Sequence, residues 1–143
     1  LVVAGEFWHD RQDYMDLIGR LGIRDSITLI DRYVPNEDIG SLFAAADLVV
    51  QPYETATQSG VTQIAFDAGR PVVVTRVGGL AETVRHGETG YVVPPFDPRA
   101  IAEAVADFLD RNRAATMAAA IEADLQRFSW PRYIEVIEQS IAP

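Results

Sequence analysis

The segment Leu48–Thr75, LVVQPYETATQSGVTQIAFDAGRPVVVT, decides how the chain is read. Its ends, LVVQ (48–51) and PVVVT (71–75), are short apolar runs rich in valine, the pattern of strands buried on both faces. Between them a helix is expected to begin near Ser59 and to end at Gly69, ahead of Pro71, which cannot continue it. Strand, loop, helix and strand in that order make a βαβ unit, with parallel strands and a right-handed crossover.

The same alternation extends outward in both directions. LVVA (1–4), ITLI (27–30) and GYVV (90–93) read as three further buried strands. Helical spacing links them: Tyr14, Leu17, Ile18 and Leu21 in one segment, then Ile39, Leu42, Phe43 and Ala46 in another. Gly22 can close the first of these helices, and Asn36 can cap the second ahead of Glu37 and Asp38. Asp97-Pro98 starts another helix with Ile101, Val105, Phe108 and Leu109 on its apolar face. The tail, 129–143, reads as a last amphipathic helix from Ser129 to Ala142, with Trp130, Ile134 and Ile137 or Ile141 turned inward. The expected fold class is therefore α/β, a parallel sheet with helices on both faces.

Composition narrows the function. A chain of 143 residues that is 48% hydrophobic can build a single-domain core without staples. With no cysteine there is no disulfide, no thiolate nucleophile and no cysteine zinc site. The net charge of −9 argues against nucleic acid or an anionic membrane as the main partner. All twelve cationic residues are arginine, so no phosphate-binding or Schiff-base lysine comes from this segment. No apolar run approaches the roughly 20 residues of a membrane span, and LVVA lacks the basic flank of a signal peptide, so a cytoplasmic address is expected. The chain starts without methionine and inside a strand, which reads as a fragment of a larger protein.

In open α/β sheets ligands bind beyond the carboxyl ends of the strands, which singles out loops 5–9, 31–36, 52–58, 76–80 and 94–97. The loop at 52–58 and the helix after it bear few charged groups but many amides and hydroxyls. A helix start near Ser59 would turn the amides of residues 59–61 outward at the positive end of the dipole, a site suited to phosphate. Gly60 would allow close approach, and Thr57 and Ser59 would add hydroxyls. The plainer alternative is that Ser59 is only an N-cap with a packing glycine behind it. Gly78-Gly79 and Glu82 follow as a structural turn between strand and helix.

Other chemistries fit poorly. His9 and His86 have no companion at metal-ligand spacing, so both are read as structural or solvated, although His9 sits on a loop at the binding edge. Phe7 and Trp8 are read as packing residues. Ser59 stands in QSGV, not in a G-x-S-x-G elbow, and GEFWHD replaces the glycines of a dinucleotide fingerprint after the first strand.

Three stretches carry a resemblance: LVVAGEF, ITLIDRYVPNEDIGSLFAAADLVVQPY and ATQSGVTQIAFDAGRPVVVTRVGGLAETVRHGETGYVVPPFDP. From Leu1 to about Leu109 the chain resembles the C-terminal, donor-binding half of a group 1 glycosyltransferase, glycosyltransferase family 4, of GT-B architecture. The resemblance implies one Rossmann-like domain over 1–143, cut from a two-domain protein, that binds a nucleotide-diphosphate sugar as substrate and needs neither cofactor nor metal. It implies retaining transfer of the sugar to an acceptor held by the chain's own N-terminal domain. Carried over by position, Thr57, Gln58, Ser59, Gly60 and Val61 meet the diphosphate or sugar, while Gly5, Tyr33, Val34 and Gln63 meet the nucleotide. The family's paired glutamates fall on Ala56 and Ile64, so both carboxylates are missing. Glu54 is then the candidate catalytic carboxylate, with Thr57 and Gln63 near enough to replace the lost grip on hydroxyls. The resemblance also implies that the family's first strand is absent, which should leave a gap between the strands at 1–4 and 48–51. Two other readings remain: a non-catalytic nucleotide-sugar-binding module, and a nucleotide-sugar 2-epimerase, which would need more carboxylates and histidines than this segment supplies.

Overall fold

The structure is a computed structural model that describes residues 1–7, 10–125 and 130–141. Its contacts divide the chain into two compact units, Leu1–Ser41 and Leu42–Pro143. The order is β1 (Val2–Ala4), α1 (Arg11–Leu21), a 3-10 turn (Arg24–Ser26), β2 (Thr28–Ile30), α2 (Asn36–Ala45), β3 (Val49–Gln51), α3 (Gly60–Asp67), β4 (Val72–Thr75), α4 (Leu80–Thr83), β5 (Gly90–Val93), α5 (Pro98–Asp110), α6 (Ala114–Leu125) and α7 (Trp130–Ile141). All the strand pairs are parallel, in two sheets, β1-β2 and β3-β4-β5, and no ladder joins the two among the described residues.

In the larger unit the βαβ reading holds in detail. Alternation along β4 and β5 sends Val72, Val74 and Val92 to one face, where they meet Ala65 and Phe66 of α3, Leu80 of α4 and Ile121 of α6. Val73, Tyr91 and Val93 go to the other face, against Ala104 and Phe108 of α5 and Met117 of α6. Each fully buried side chain of this size adds about 1.5–3 kcal/mol of hydrophobic stabilisation, which is why β4, hidden on both faces, anchors the unit. At the rim the Tyr91 hydroxyl donates to Asp107 Oδ2 at 2.8 Å, and Asp107 also meets the Arg111 guanidinium at 2.8 Å. Burial, then the hydrogen bond to Asp107 and its charge, push the Tyr91 phenol up to about 12.

Local punctuation is as expected at three ends. Gly22 (φ 65°) and Gly69 (φ 67°) close α1 and α3 in left-handed conformation. After α3 the amides of Gly69 and Arg70 return to the carbonyls of Phe66 and Ala65. Asp97 caps α5 by accepting from the Ala100 amide at 3.0 Å, with Pro98 in the first turn. Asn36, expected as a cap, is instead the first residue of α2.

Several expectations are corrected. Strands 1–4 and 27–30 are not buried on both faces: Val2 is 55% exposed and Val3 43%. The apolar face of α1 exists but is uncovered, since Tyr14, Leu17 and Leu21 are all exposed. With Val3, Leu29 and their neighbours these side chains wall an open cavity of about 420 Å³ inside the smaller unit. On α5, Leu109 is exposed and Ala104 takes the inward position next to Phe108. In the tail helix Ile134, Ile137 and Ile141 are exposed rather than inward; Ser129, Ala142 and the Trp130 side chain lie outside what is described. A repeating apolar stripe specifies a face for burial but does not supply its partner. Finally, α6 adds a helix to those expected from the sequence; AATMAAAIEADL is composed mostly of strong helix formers and buries Met117 and Ile121.

Candidate functional site

The parallel register puts the carboxyl ends of β3, β4 and β5 on one edge of the larger unit, and the loops 52–59, 76–79 and 94–97 leave from it. The first of these carries the residues singled out for a diphosphate. Pro52, Glu54, Thr55, Thr57, Gln58 and Gly60 are exposed on it, while Ala56 packs against the core.

Helix α3 starts at Gly60 with Ser59 as its N-cap, and the Ser59 hydroxyl accepts the Val61 amide at 3.2 Å. This corrects the expectation that amides 59–61 all point outward unpaired: that of Val61 is taken by the protein. Ser59 is correspondingly a structural cap, whose own proton goes to Gln51 Oε1 at 2.9 Å. Helix geometry still leaves the remaining first-turn amides without intrahelical acceptors. A Cβ built at Gly60 would meet no heavy atom within 4 Å beyond its chain neighbours and its own helix backbone among the described residues, so close approach at this exposed glycine is unobstructed.

The loop is held from behind. The Thr75 hydroxyl, at the end of β4, donates to the Tyr53 carbonyl at 2.6 Å. The Gly79 amide donates to the Thr57 carbonyl at 2.8 Å. Gly78 has φ 48°, and a methyl group on it would run into the Ala56 carbonyl oxygen; one on Gly79 would meet the Gln58 side-chain amide. The Gly78-Gly79 turn therefore has the structural role expected of it, but its neighbour is the loop at 56–58. Glu82 is exposed, and its amide closes the turn onto the Gly79 carbonyl.

Of the remaining candidates, Gln63 is half-buried on α3 and donates to Asp67, which lies on the exposed side as expected. Ile64, on the same helix, is 37% exposed. Gly5, Tyr33 and Val34 belong to the smaller unit. There Gly5 follows β1 with φ 135° and its amide donates to the Ile30 carbonyl at 3.1 Å. Tyr33 follows β2 and is 66% exposed, with Val34 half-buried beside it. The structure thus groups Thr57–Val61 and Gln63 in one unit and Gly5, Tyr33 and Val34 in the other.

His86 is structural, as expected: its Nδ1 accepts the Val92 amide at 3.1 Å, and its ring meets Tyr91 edge-on at 5.9 Å. His9 and Trp8 lie outside the described residues. Among the described residues no three His, Asp or Glu side chains are gathered to hold a metal ion, and no helix is long and apolar enough to cross a membrane. Gln51 closes an apolar strand and belongs to no motif; its only signal in the sequence is an amide side chain where an aliphatic one is expected.

A family model described as glycosyl transferases group 1 matches residues 1–111. The D-inositol 3-phosphate glycosyltransferase of Thermobispora bispora is 35% identical over 80% of this chain and 27% of its own length. The alpha-D-kanosaminyltransferase of Streptomyces kanamyceticus is 36% identical over 85% of this chain and 32% of its own. The chain thus spans about a quarter to a third of the length of these relatives. A crystal structure of Anabaena Alr3699/HepE in complex with UDP-glucose matches with a TM-score of 0.73 and 28% identity, over 85% of this chain and 34% of that one.

Proposed function

The chain belongs to the group 1 glycosyltransferases, and we propose that it is the donor-binding part of a retaining, hexosyl-transferring enzyme whose acceptor is held by an N-terminal domain outside these residues. The observation that carries this reading is the open, exposed start of α3 at Gly60, on a loop tied to the sheet edge at Tyr53, Thr57 and Ser59. A donor's diphosphate gains negative charge as its bond to the sugar breaks. Amides already aimed at that charge stabilise the departing group more than the bound donor, which is the requirement for catalysis. In this reading Gly60 and the first amides of α3 receive the diphosphate, Thr57 and Gln58 reach the sugar or phosphate, and Ser59 and Val61 shape the helix start. On the larger unit Gln63 is assigned to the nucleotide and Glu54 is the carboxylate available to the sugar; on the smaller unit Gly5, Tyr33 and Val34 are assigned to the nucleotide. No resident metal is invoked, so chelation should leave turnover unchanged.

The solved complex of the Anabaena relative with UDP-glucose supports a uridine nucleotide as the first donor to try. The test is to incubate the full-length protein with UDP-glucose and other nucleotide sugars together with a panel of hydroxyl-bearing acceptors, follow nucleotide release, and read the anomeric configuration of the glycoside formed by NMR. Release with retained configuration is expected; inverted product would overturn the mechanism, and no binding of any nucleotide sugar would overturn the donor site.

A second reading has its own observation. Ala56 is packed against the core and Ile64 presents only hydrocarbon, so neither offers the carboxylate the family uses. A protein that binds nucleotide sugar tightly yet transfers nothing to any acceptor would be a binding module.

A further inference from the structure

Gln51 ends β3, in a run otherwise apolar, and its side chain is only 3% exposed. A primary amide is buried at a cost unless both of its ends find partners. Here Oε1 accepts from the Ser59 hydroxyl at 2.9 Å and from the Thr62 hydroxyl at 3.3 Å, and Nε2 lies 3.0 Å from Thr62 Oγ1. Thr62 is itself buried, in the first turn of α3. The Ser59 hydroxyl has one proton, and Gln51 takes it. That turns a lone pair of Ser59 toward the Val61 amide at 3.2 Å.

The consequence is directional. A helix seated only by an apolar face can rotate or slide by fractions of an ångström, because dispersion contacts are non-directional. A buried amide that grips both the cap residue and a first-turn hydroxyl fixes the start of α3 relative to the end of β3. We propose that Gln51 is a positioning residue for the donor's diphosphate: it touches no ligand, and it sets the aim of the first amides of α3 through Ser59 and Thr62. This rests on the diphosphate reading above and adds to it the residue on which the aim depends. Thr75 and Gly79 hold the preceding loop at Tyr53 and Thr57, but neither is bonded to the helix start.

A merely structural amide would lower stability without changing what the site prefers. The test therefore compares two probes, UDP and uridine, by titration calorimetry on the full-length protein and on the Gln51→Leu and Thr62→Val variants. In the wild type UDP should bind more tightly than uridine. In both variants UDP affinity should fall by about tenfold, the equivalent of losing one cap-strength interaction, while uridine affinity stays within about twofold. If Gln51→Leu does not fold, Thr62→Val, nearly the same shape without the hydroxyl, decides alone. A variant that keeps the wild-type ratio of UDP to uridine affinity overturns the role of Gln51. A wild type that binds UDP no better than uridine overturns the diphosphate reading itself, and the positioning role with it.

Discussion

The two units use the same materials and end in opposite conditions. Leu42–Pro143 contains every buried residue among those described, with β4 sealed on both faces. Leu1–Ser41 contains none: Val2, Val3, Tyr14, Leu17 and Leu21 are all exposed. Both have parallel strands and helices with apolar stripes. They differ in number of layers, because three strands with helices on both faces can cover one another, whereas two three-residue strands with α1 leave apolar surface open. Burial thus depends on how many elements face a surface more than on how apolar each element is.

Four measurements would sharpen or break that contrast. The largest effect is expected for Phe66→Ala, which empties a side chain 1% exposed in the larger unit and should cost about 3–5 kcal/mol in urea unfolding. Loss below about 1 kcal/mol would mean that this core is loosely packed. Next comes Gly78→Ala, where a left-handed φ of 48° and collision with the Ala56 carbonyl combine; about 2–3 kcal/mol is expected, together with weaker UDP binding because the loop must shift. A smaller effect concerns alkaline pH. The Tyr91 phenol is raised to about 12 in the folded protein against about 10 unfolded, so its contribution is fully present below about pH 10 and fades as pH rises toward 12. Tyr91→Phe should flatten that part of the stability profile; an unchanged slope between pH 10 and 12 would remove Tyr91 from the account. The smallest is Leu17→Ala, at a position 46% exposed in the smaller unit, with less than about 1 kcal/mol expected. A loss equal to that of Phe66→Ala would erase the distinction between the units.

Similar unevenness runs through the site. Thr57, Gly60 and the glycine turn stand out as candidates from residue types and their place after a strand, although the same residues also suit a plain cap and a packing turn. Gln51 does not, since an amide in an apolar strand acquires meaning only when Ser59 and Thr62 are seen against it. Nor could the capture of the Val61 amide by Ser59 be told from its alternative, an amide left free for a ligand.

Apart from α6, element types, the parallel arrangement of strands and the ends of helices at Gly22, Gly69 and Asp97 were legible along the chain, because each depends on φ preferences, caps and periodicity within a few residues. Folding in space settled which apolar faces found cover, so that α5 is half buried while α1 and α7 stand exposed. It also settled which polar side chains met, as with Gln51 and Thr62, eleven residues apart, and Thr75 and Tyr53, twenty-two apart. Such pairings come from distance in three dimensions, and neither partner carries a mark of the other.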